Sequence, residues 1–135
     1  MVFIEWVESY SVNIKEIDDQ HKKLIEILNR VHDAMKAGQG KKAISGALSE
    51  LIDYTSYHFK TEENLFQQYG YPDLIKHTEE HDELTRKAID LKASFDKGRL
   101  INNIEIIIFL KDWLNTHILD TDKKYSEFLN SKGVT

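Results

Sequence analysis

Apolar side chains recur in steps of four and three residues along four long segments of this 135-residue chain. Because an α-helix has about 3.6 residues per turn, this spacing places all of them on one face of a helix. The clearest stripe, in the second segment, consists of Ile44, Leu48, Leu51, Thr55, His58, Glu62, Leu65 and Tyr69. No segment shows the period of two that is typical of strands. The pattern therefore predicts an all-α protein.

Helix boundaries follow from the glycines and from the single proline. We expect helices at about residues 18–37, 41–69, 72–97 and 103–131. Asp18 is placed to cap the first helix, Gly70 to end the second, and Pro72 to lie in the first turn of the third. An apolar arm, residues 1–17 with Trp6, should pack along the outside. Short connections then predict one domain over residues 1–135, an antiparallel up-down-up-down four-helix bundle.

Composition excludes several classes of protein. The formal charge is −5 and no basic cluster occurs, so the positive surface typical of nucleic-acid binding is missing. Without any cysteine, the chain cannot form a disulfide, a thiolate zinc site or an iron–sulfur cluster. No stretch approaches the roughly 20 apolar residues of a membrane span, and the acidic start is unlike a signal peptide. We therefore expect a cytoplasmic protein.

Seven ionisable side chains interrupt the apolar stripes. They are His21, His58, Glu62, His77, His81, His117 and Asp122. Buried charges need partners, yet no lysine or arginine shares these inward faces. One core histidine is usually just hydrogen-bonded to its neighbours, but that explanation does not easily cover seven residues at one level of the bundle. The set predicts a site for two metal ions near one end of the bundle, with iron, manganese and zinc all compatible with the ligands.

The fourth segment departs from regular spacing between His117 and Asp122. A spacing of five residues rotates the second side chain by roughly 140° in a regular helix. One inserted residue, as in a π-bulge, would return Asp122 to the face of His117. Fraying or a kink at this end of the helix is the structural alternative.

Other polar residues have different expected roles. His32 lies 11 residues beyond His21, roughly 16 Å along a helix, and should not reach the site. Glu63, together with Glu79 and Glu80, falls on outward faces and should be solvated. Tyr125 should be buried, with the option of donating a hydrogen bond to a metal ligand.

Four ordered motifs carry a resemblance across nearly the whole chain. They are IDDQH at residues 17–21, HFKTEE at 58–63, HTEEH at 77–81 and WLNTH at 113–117, followed by Asp122. In this order the chain resembles the hemerythrin family, most closely its single-domain bacterial members. The resemblance implies a non-haem centre of two iron ions (Fe²⁺/Fe³⁺) that binds dioxygen reversibly.

The resemblance also implies a division of the ligands. His77, His81 and His117 would hold one iron, while His21 and His58 would hold the other, which keeps an open position. Glu62, Asp122 and a solvent-derived oxo or hydroxo group would bridge the two ions. The apolar positions that line the oxygen pocket in the family are Leu24, Phe59, Trp113, Leu114 and Ile118 in this chain.

The resemblance leaves three functions in competition. We expect oxygen carriage, storage or delivery by a monomer that is not an enzyme, with an unidentified oxygen-consuming protein as partner. The alternatives are an oxygen or redox sensing module, and a di-iron enzyme acting on peroxide, nitric oxide or iron.

Overall fold

The computed structural model describes residues 4–38, 40–98, 103–117 and 122–135, with the backbone alone at 103 and 104. The elements are a 3₁₀ turn at Glu8–Tyr10, α1 (Lys15–Lys36), α2 (Lys41–Tyr69), α3 (Leu74–Asp96), α4 (Asn103–Asn115) and α5 (Lys123–Ser131). Within the described ranges no residue belongs to a strand, so the predicted all-α class is confirmed. No helix in these ranges is both long and apolar enough to cross a membrane.

Hydrogen bonds between neighbouring helices show their antiparallel arrangement. Gln20, early in α1, donates from its side-chain amide to Thr61, late in α2, at 3.3 Å. Ser45, early in α2, donates to the carboxylate of Asp96, at the end of α3, at 2.6 Å. Each pair joins the start of one helix to the end of the next, as the up-down topology requires. The arrangement is therefore the predicted helical bundle.

Two apolar clusters fill the interior. The larger contains Leu24, Phe59 and Trp113 among others, while the smaller contains Ile17 and Phe66. Along α1 and α2, a residue of one cluster is therefore only seven positions from a residue of the other. Seven positions correspond to roughly 10 Å along a helix, and the layer between the clusters holds the polar residues of the predicted site. Because one cluster is smaller, this layer lies nearer one end of the bundle, as expected.

The arm packs on the bundle through polar as well as apolar contacts. The backbone of Ile4 both donates to and accepts from the side-chain amide of Asn29 on α1, each at 2.8 Å. Asp18 was expected to cap the first helix, but α1 begins three residues earlier, at Lys15, without a side-chain cap. The Asp18 carboxylate instead accepts from the Val12 amide at 2.9 Å and from the Ser11 hydroxyl. It thus fastens the arm to the first turn of α1.

Two helix boundaries near the turn between α2 and α3 were predicted. Gly70 ends α2 as expected, because its φ of +67° lies in the left-handed region that glycine adopts without a steric penalty. Pro72 was expected within the first turn of the next helix, but α3 begins only at Leu74. Pro72 therefore belongs to the turn.

The fourth predicted helix is not one regular α-helix. α4 ends at Asn115, and α5 starts at Lys123. Between them, Thr116, His117 and Asp122 have π-helical hydrogen bonding, while residues 118–121 lie outside the described ranges. A wider turn of this kind holds an extra residue, which is what the five-residue spacing predicted. The described flanks of the segment confirm the departure from regular helix.

Candidate metal centre

The seven predicted ligands meet in the polar layer between the two apolar clusters. They come from four elements: His21 from α1, His58 and Glu62 from α2, His77 and His81 from α3, and His117 and Asp122 from the π-helical turns. None is more than 3% exposed. Side chains this polar are excluded from water only when their neighbours compensate them. The arrangement therefore requires partners within the layer itself.

The donor atoms form two overlapping groups, each with all its donor atoms within 4.8 Å of one another. One group contains His21, His58 and His117, and the other contains His77 and His81. Glu62 and Asp122 belong to both groups. Shared carboxylates between two sets of imidazoles are the arrangement that a pair of bridged ions needs.

Asp122 shows the bridging geometry most clearly. Its Oδ2 lies 2.7 Å from Nε2 of His21 and 2.8 Å from Nε2 of His117. Its Oδ1 lies 3.1 Å from Nε2 of His77. One oxygen therefore faces each group of donors. His117 and Asp122, which both have π-helical hydrogen bonding, thus present donor atoms to the same group.

Glu62 occupies the corresponding position on α2. Its Oε1 lies 3.2 Å from Nε2 of both His58 and His81. Its other oxygen, Oε2, accepts a short hydrogen bond from the Tyr125 hydroxyl. The prediction that Tyr125 is buried is confirmed, and its hydroxyl donates to Glu62, one of the candidate ligands.

His117 falls in a different donor group from the one that the resemblance implied. The resemblance assigned it to the ion of His77 and His81, whereas its Nε2 lies 2.9 Å from Nε2 of His58. Its donor atom belongs to the group that contains His21 and His58. Which ion His117 binds stays a prediction.

Unpartnered polar atoms test whether this layer fits a metal pair. Glu62 Oε1 and His81 Nε2 lie 3.2 Å apart, yet each is buried without a well-aligned hydrogen bond. Buried polar atoms are rarely left unsatisfied in folded proteins. Five imidazoles and two carboxylates form the nitrogen and oxygen donor set of a first-row metal site. The residues therefore fit two ions that would satisfy these atoms.

The carboxylates are held in the charged form that metal binding requires. Burial raises the pKa of Asp122, but the neighbouring His117, His21 and His58 outweigh it and place the pKa well below its ordinary value. Burial and the charge of Asp122 likewise raise the pKa of Glu62, yet the histidines around it leave a lowered pKa. Both groups are therefore anionic at neutral pH.

Two histidines have pKa values shifted in opposite directions. For His81, burial lowers the pKa, but the adjacent carboxylates of Glu62 and Glu63 raise it to about 9. For His117, burial is the larger effect and lowers the pKa to about 4, against the attraction of Asp122 and Glu62. Without metal, His81 therefore carries a proton at pH 7 and His117 does not.

Sequence reasoning missed two residues that contact the ligands from outside. Glu63 was expected to be solvated, but its side chain is only 31% exposed and its Oε2 lies 3.0 Å from Nδ1 of His81. Gln20, which is buried, has its Oε1 2.7 Å from Nδ1 of His58. In the sequence, the only indication of a role for Gln20 or Glu63 is that each lies within one of the family motifs, IDDQH or HFKTEE. Helical periodicity alone does not identify these partners, because each contact crosses between helices.

Two of the expected apolar residues, Phe59 and Trp113, lie against histidine rings. Phe59 stacks on the His81 ring with centroids 3.9 Å apart and planes within 1° of parallel. Trp113 lies 5.9 Å from the His117 ring and donates from its indole nitrogen to the Leu84 carbonyl. Leu24 and Leu114 are fully buried, and the remaining predicted lining residue, Ile118, lies outside the described residues. These side chains keep water away from at least one side of the layer.

His32 is separate from this arrangement, as expected. Its side chain is 23% exposed, and its Nδ1 lies 3.8 Å from an Asp33 oxygen. It belongs to neither donor group.

Comparison with known proteins gives a consistent result. A family model described as the hemerythrin HHE cation-binding domain matches residues 12–129. A bacteriohemerythrin of Methylococcus capsulatus is 36% identical over 132 residues, covering 97% of this chain and 100% of the relative. A hemerythrin-like protein of Naegleria gruberi is 34% identical, and the match covers 92% of each chain.

Solved structures extend the similarity to three dimensions. A crystal structure of wild-type hemerythrin superposes with a TM-score of 0.84 at 36% identity, covering 94% of this chain and 98% of the other. A structure of a hemerythrin with a leucine-to-alanine substitution gives a TM-score of 0.85, covering 96% and 98%. The matched family, the bundle and the buried histidine–carboxylate layer agree, and the chain belongs to the hemerythrin family.

Proposed function

We propose that this protein binds dioxygen reversibly at a pair of iron ions, for carriage, storage or delivery of oxygen. The observation that supports this most directly is the sharing of Glu62 and Asp122 between two donor groups in a layer that excludes water. The family of the chain adds to that support.

The proposed centre uses all seven side chains. His77, His81 and His117 would hold one ion, His21 and His58 would hold the other, and the two carboxylates would bridge them. When bound, the iron pair supplies the electrons for the reversible interaction with dioxygen. The bridging role of Asp122 is supported by its two oxygens, which face opposite groups of histidines.

The composition of the ligand set favours binding of oxygen over its activation. Bundle proteins that activate oxygen at two irons typically present four glutamates and two histidines. This chain presents five histidines and two carboxylates, which carry less negative charge. Less negative charge stabilises high-valent iron less and favours the ferrous pair.

The surrounding side chains serve to exclude water and protons. Leu114 is fully buried, Trp113 lies against the His117 ring, and Phe59 covers one face of His81. Tyr125 keeps its proton, since burial first and then the charges of Asp122 and Glu62 raise its pKa well above the ordinary value. The hydroxyl therefore donates to Glu62 and is not itself a source of negative charge.

The decisive experiment combines metal analysis with an oxygen titration of the ferrous protein. We expect two irons per chain and a visible spectrum that changes reversibly with oxygen pressure, without turnover. His32→Gln should retain both irons, because His32 lies outside the cluster, whereas His58→Gln should not. One tightly bound zinc and no iron after iron-replete expression would contradict the proposal.

The same titration separates the competing functions. Continuous consumption of oxygen, peroxide or nitric oxide would identify an enzyme. Oxygen binding that changes association with a signalling protein would identify a sensor. The cytoplasmic location, the monomeric state and the oxygen-consuming partner stay predictions from the sequence.

A further inference from the structure

Two of the candidate ligands have differently charged partners on their outer nitrogens. His58 faces the neutral amide oxygen of Gln20 at 2.7 Å, and His81 faces the carboxylate of Glu63 at 3.0 Å. In both rings the outer nitrogen is Nδ1, which leaves Nε2 directed at Glu62. The two histidines are therefore equivalent in orientation but not in the charge behind them.

The surroundings of the two partners differ as well. Gln20 is only 5% exposed, and its amide nitrogen also donates to Thr61 at 3.3 Å. Glu63 lines a cleft of about 470 Å³ between α2 and α3, together with Phe59, His81 and Asp82. A negative charge on Glu63 is thus tolerated because the cleft admits solvent, whereas the Gln20 position is enclosed.

The orientation of the His81 ring is restricted by its packing. Phe59 stacks parallel to one of its faces at 3.9 Å, which fixes the plane of the ring. Within that plane, the acceptor at Nδ1 determines which nitrogen carries the proton and which presents a lone pair. A carboxylate acceptor also makes the imidazole a stronger donor to a metal than a neutral amide does.

We propose that Glu63 is a positioning residue that makes the metal position at His81 the tighter of the two, while Gln20 leaves the position at His58 weaker. This inference rests on the proposed metal pair and deepens it. Its consequence is that the two ions bind with unequal affinity and are lost in a defined order.

Cobalt(II) titration of the metal-free protein tests the inference, with binding followed by visible absorption and by calorimetry. We expect two ions per unmodified chain, bound in two resolved steps. Glu63→Gln should weaken the tighter step by about 10- to 100-fold and leave the weaker step unchanged. Glu63→Leu, which also removes the acceptor, should weaken the same step at least as much.

Asp82→Asn is the matched control, since it removes the same charge from the same cleft. It should leave both steps unchanged. Thermal unfolding of each metal-free variant checks that the bundle is intact, which is expected because Glu63 and Asp82 both line the open cleft.

The outcomes separate the two proposals. If the unmodified protein does not bind two ions, the proposed function itself fails. If it binds two ions but Glu63→Gln leaves both steps unchanged, weakens both equally, or matches Asp82→Asn, only the role of Glu63 is overturned.

Discussion

The free energy of unfolding of the metal-free protein should fall as the pH rises from about 6.5 to about 9. The cause is His81, whose ring lies between Glu62 at 3.2 Å and Glu63 at 3.0 Å. Although burial lowers its pKa, these two carboxylates raise it from 6.5 to about 9. A difference of that size corresponds to about 3 kcal/mol of folding free energy, because one pKa unit is worth about 1.4 kcal/mol.

The direction follows from which state binds the proton more tightly. The folded protein holds the His81 proton up to about pH 9, while the unfolded chain releases it near 6.5. The stabilisation is therefore complete below pH 6.5 and is lost as the pH rises through about 9. His117 acts in the opposite sense, since burial lowers its pKa to about 4. Its contribution is present above pH 6.5 and is lost as the pH falls through about 4, so stability should peak near pH 6.5.

Urea unfolding of chelator-treated protein at several pH values measures this effect. Between pH 6.5 and 9 the free energy of unfolding should fall by about 3 kcal/mol. The metal-loaded protein should lack this alkaline loss, because a metal on Nε2 replaces the proton. His81→Gln should abolish the slope and His32→Gln should retain it. A flat profile for the metal-free protein, or an unchanged slope in His81→Gln, would refute the reasoning.

Three further predictions concern the layer and its apolar cover. Leu114→Ala should cost about 2–5 kcal/mol of stability and speed conversion of the oxygenated protein to the ferric form, increasingly so at lower pH, because the opened space admits water beside the ions. Leu51→Ala is its control: it should cost stability without this effect, and equal decay of the oxygenated absorbance in Leu114→Ala and unmodified protein would exclude a protective role. Tyr125→Phe should destabilise the metal-free protein by about 1.5–3 kcal/mol in urea, because the carboxylate of Glu62 loses its buried donor; unchanged stability would contradict this contribution. Removal of iron should lower the melting temperature and weaken the near-UV circular dichroism, since the candidate ligands join α1, α2 and α3 to the π-helical turns. Identical melting of both forms would show a core independent of the metal.

Sequence reasoning predicted which side chains face the interior because the spacing of residues along a helix sets their direction around its axis. His58 and Glu62 are four residues apart on a stripe of leucines, so an α-helix puts both on its buried face. The five-residue step from His117 to Asp122 likewise predicted the wider turn that the described flanks show. In each case a local geometric rule converts spacing into orientation.

The contacts around the ligands required the tertiary structure. Glu63 lies on a face that periodicity assigns to solvent, yet the antiparallel packing of α3 brings the His81 ring to within 3.0 Å of it. Asp18 has the residue type and position of a helix cap, but the arm folds back and uses its carboxylate instead. Both contacts depend on the axial register between neighbouring elements.

The sequence by itself therefore determined the all-α class, the buried helix faces and the seven candidate donor residues, because helical periodicity is a property of one segment. Only the tertiary structure decided which carboxylate oxygen faces which histidine, and that His58 is backed by a neutral amide while His81 is backed by a charge. Those features depend on the axial register between helices, which is set by the packing of the whole core and not by the spacing within any one segment.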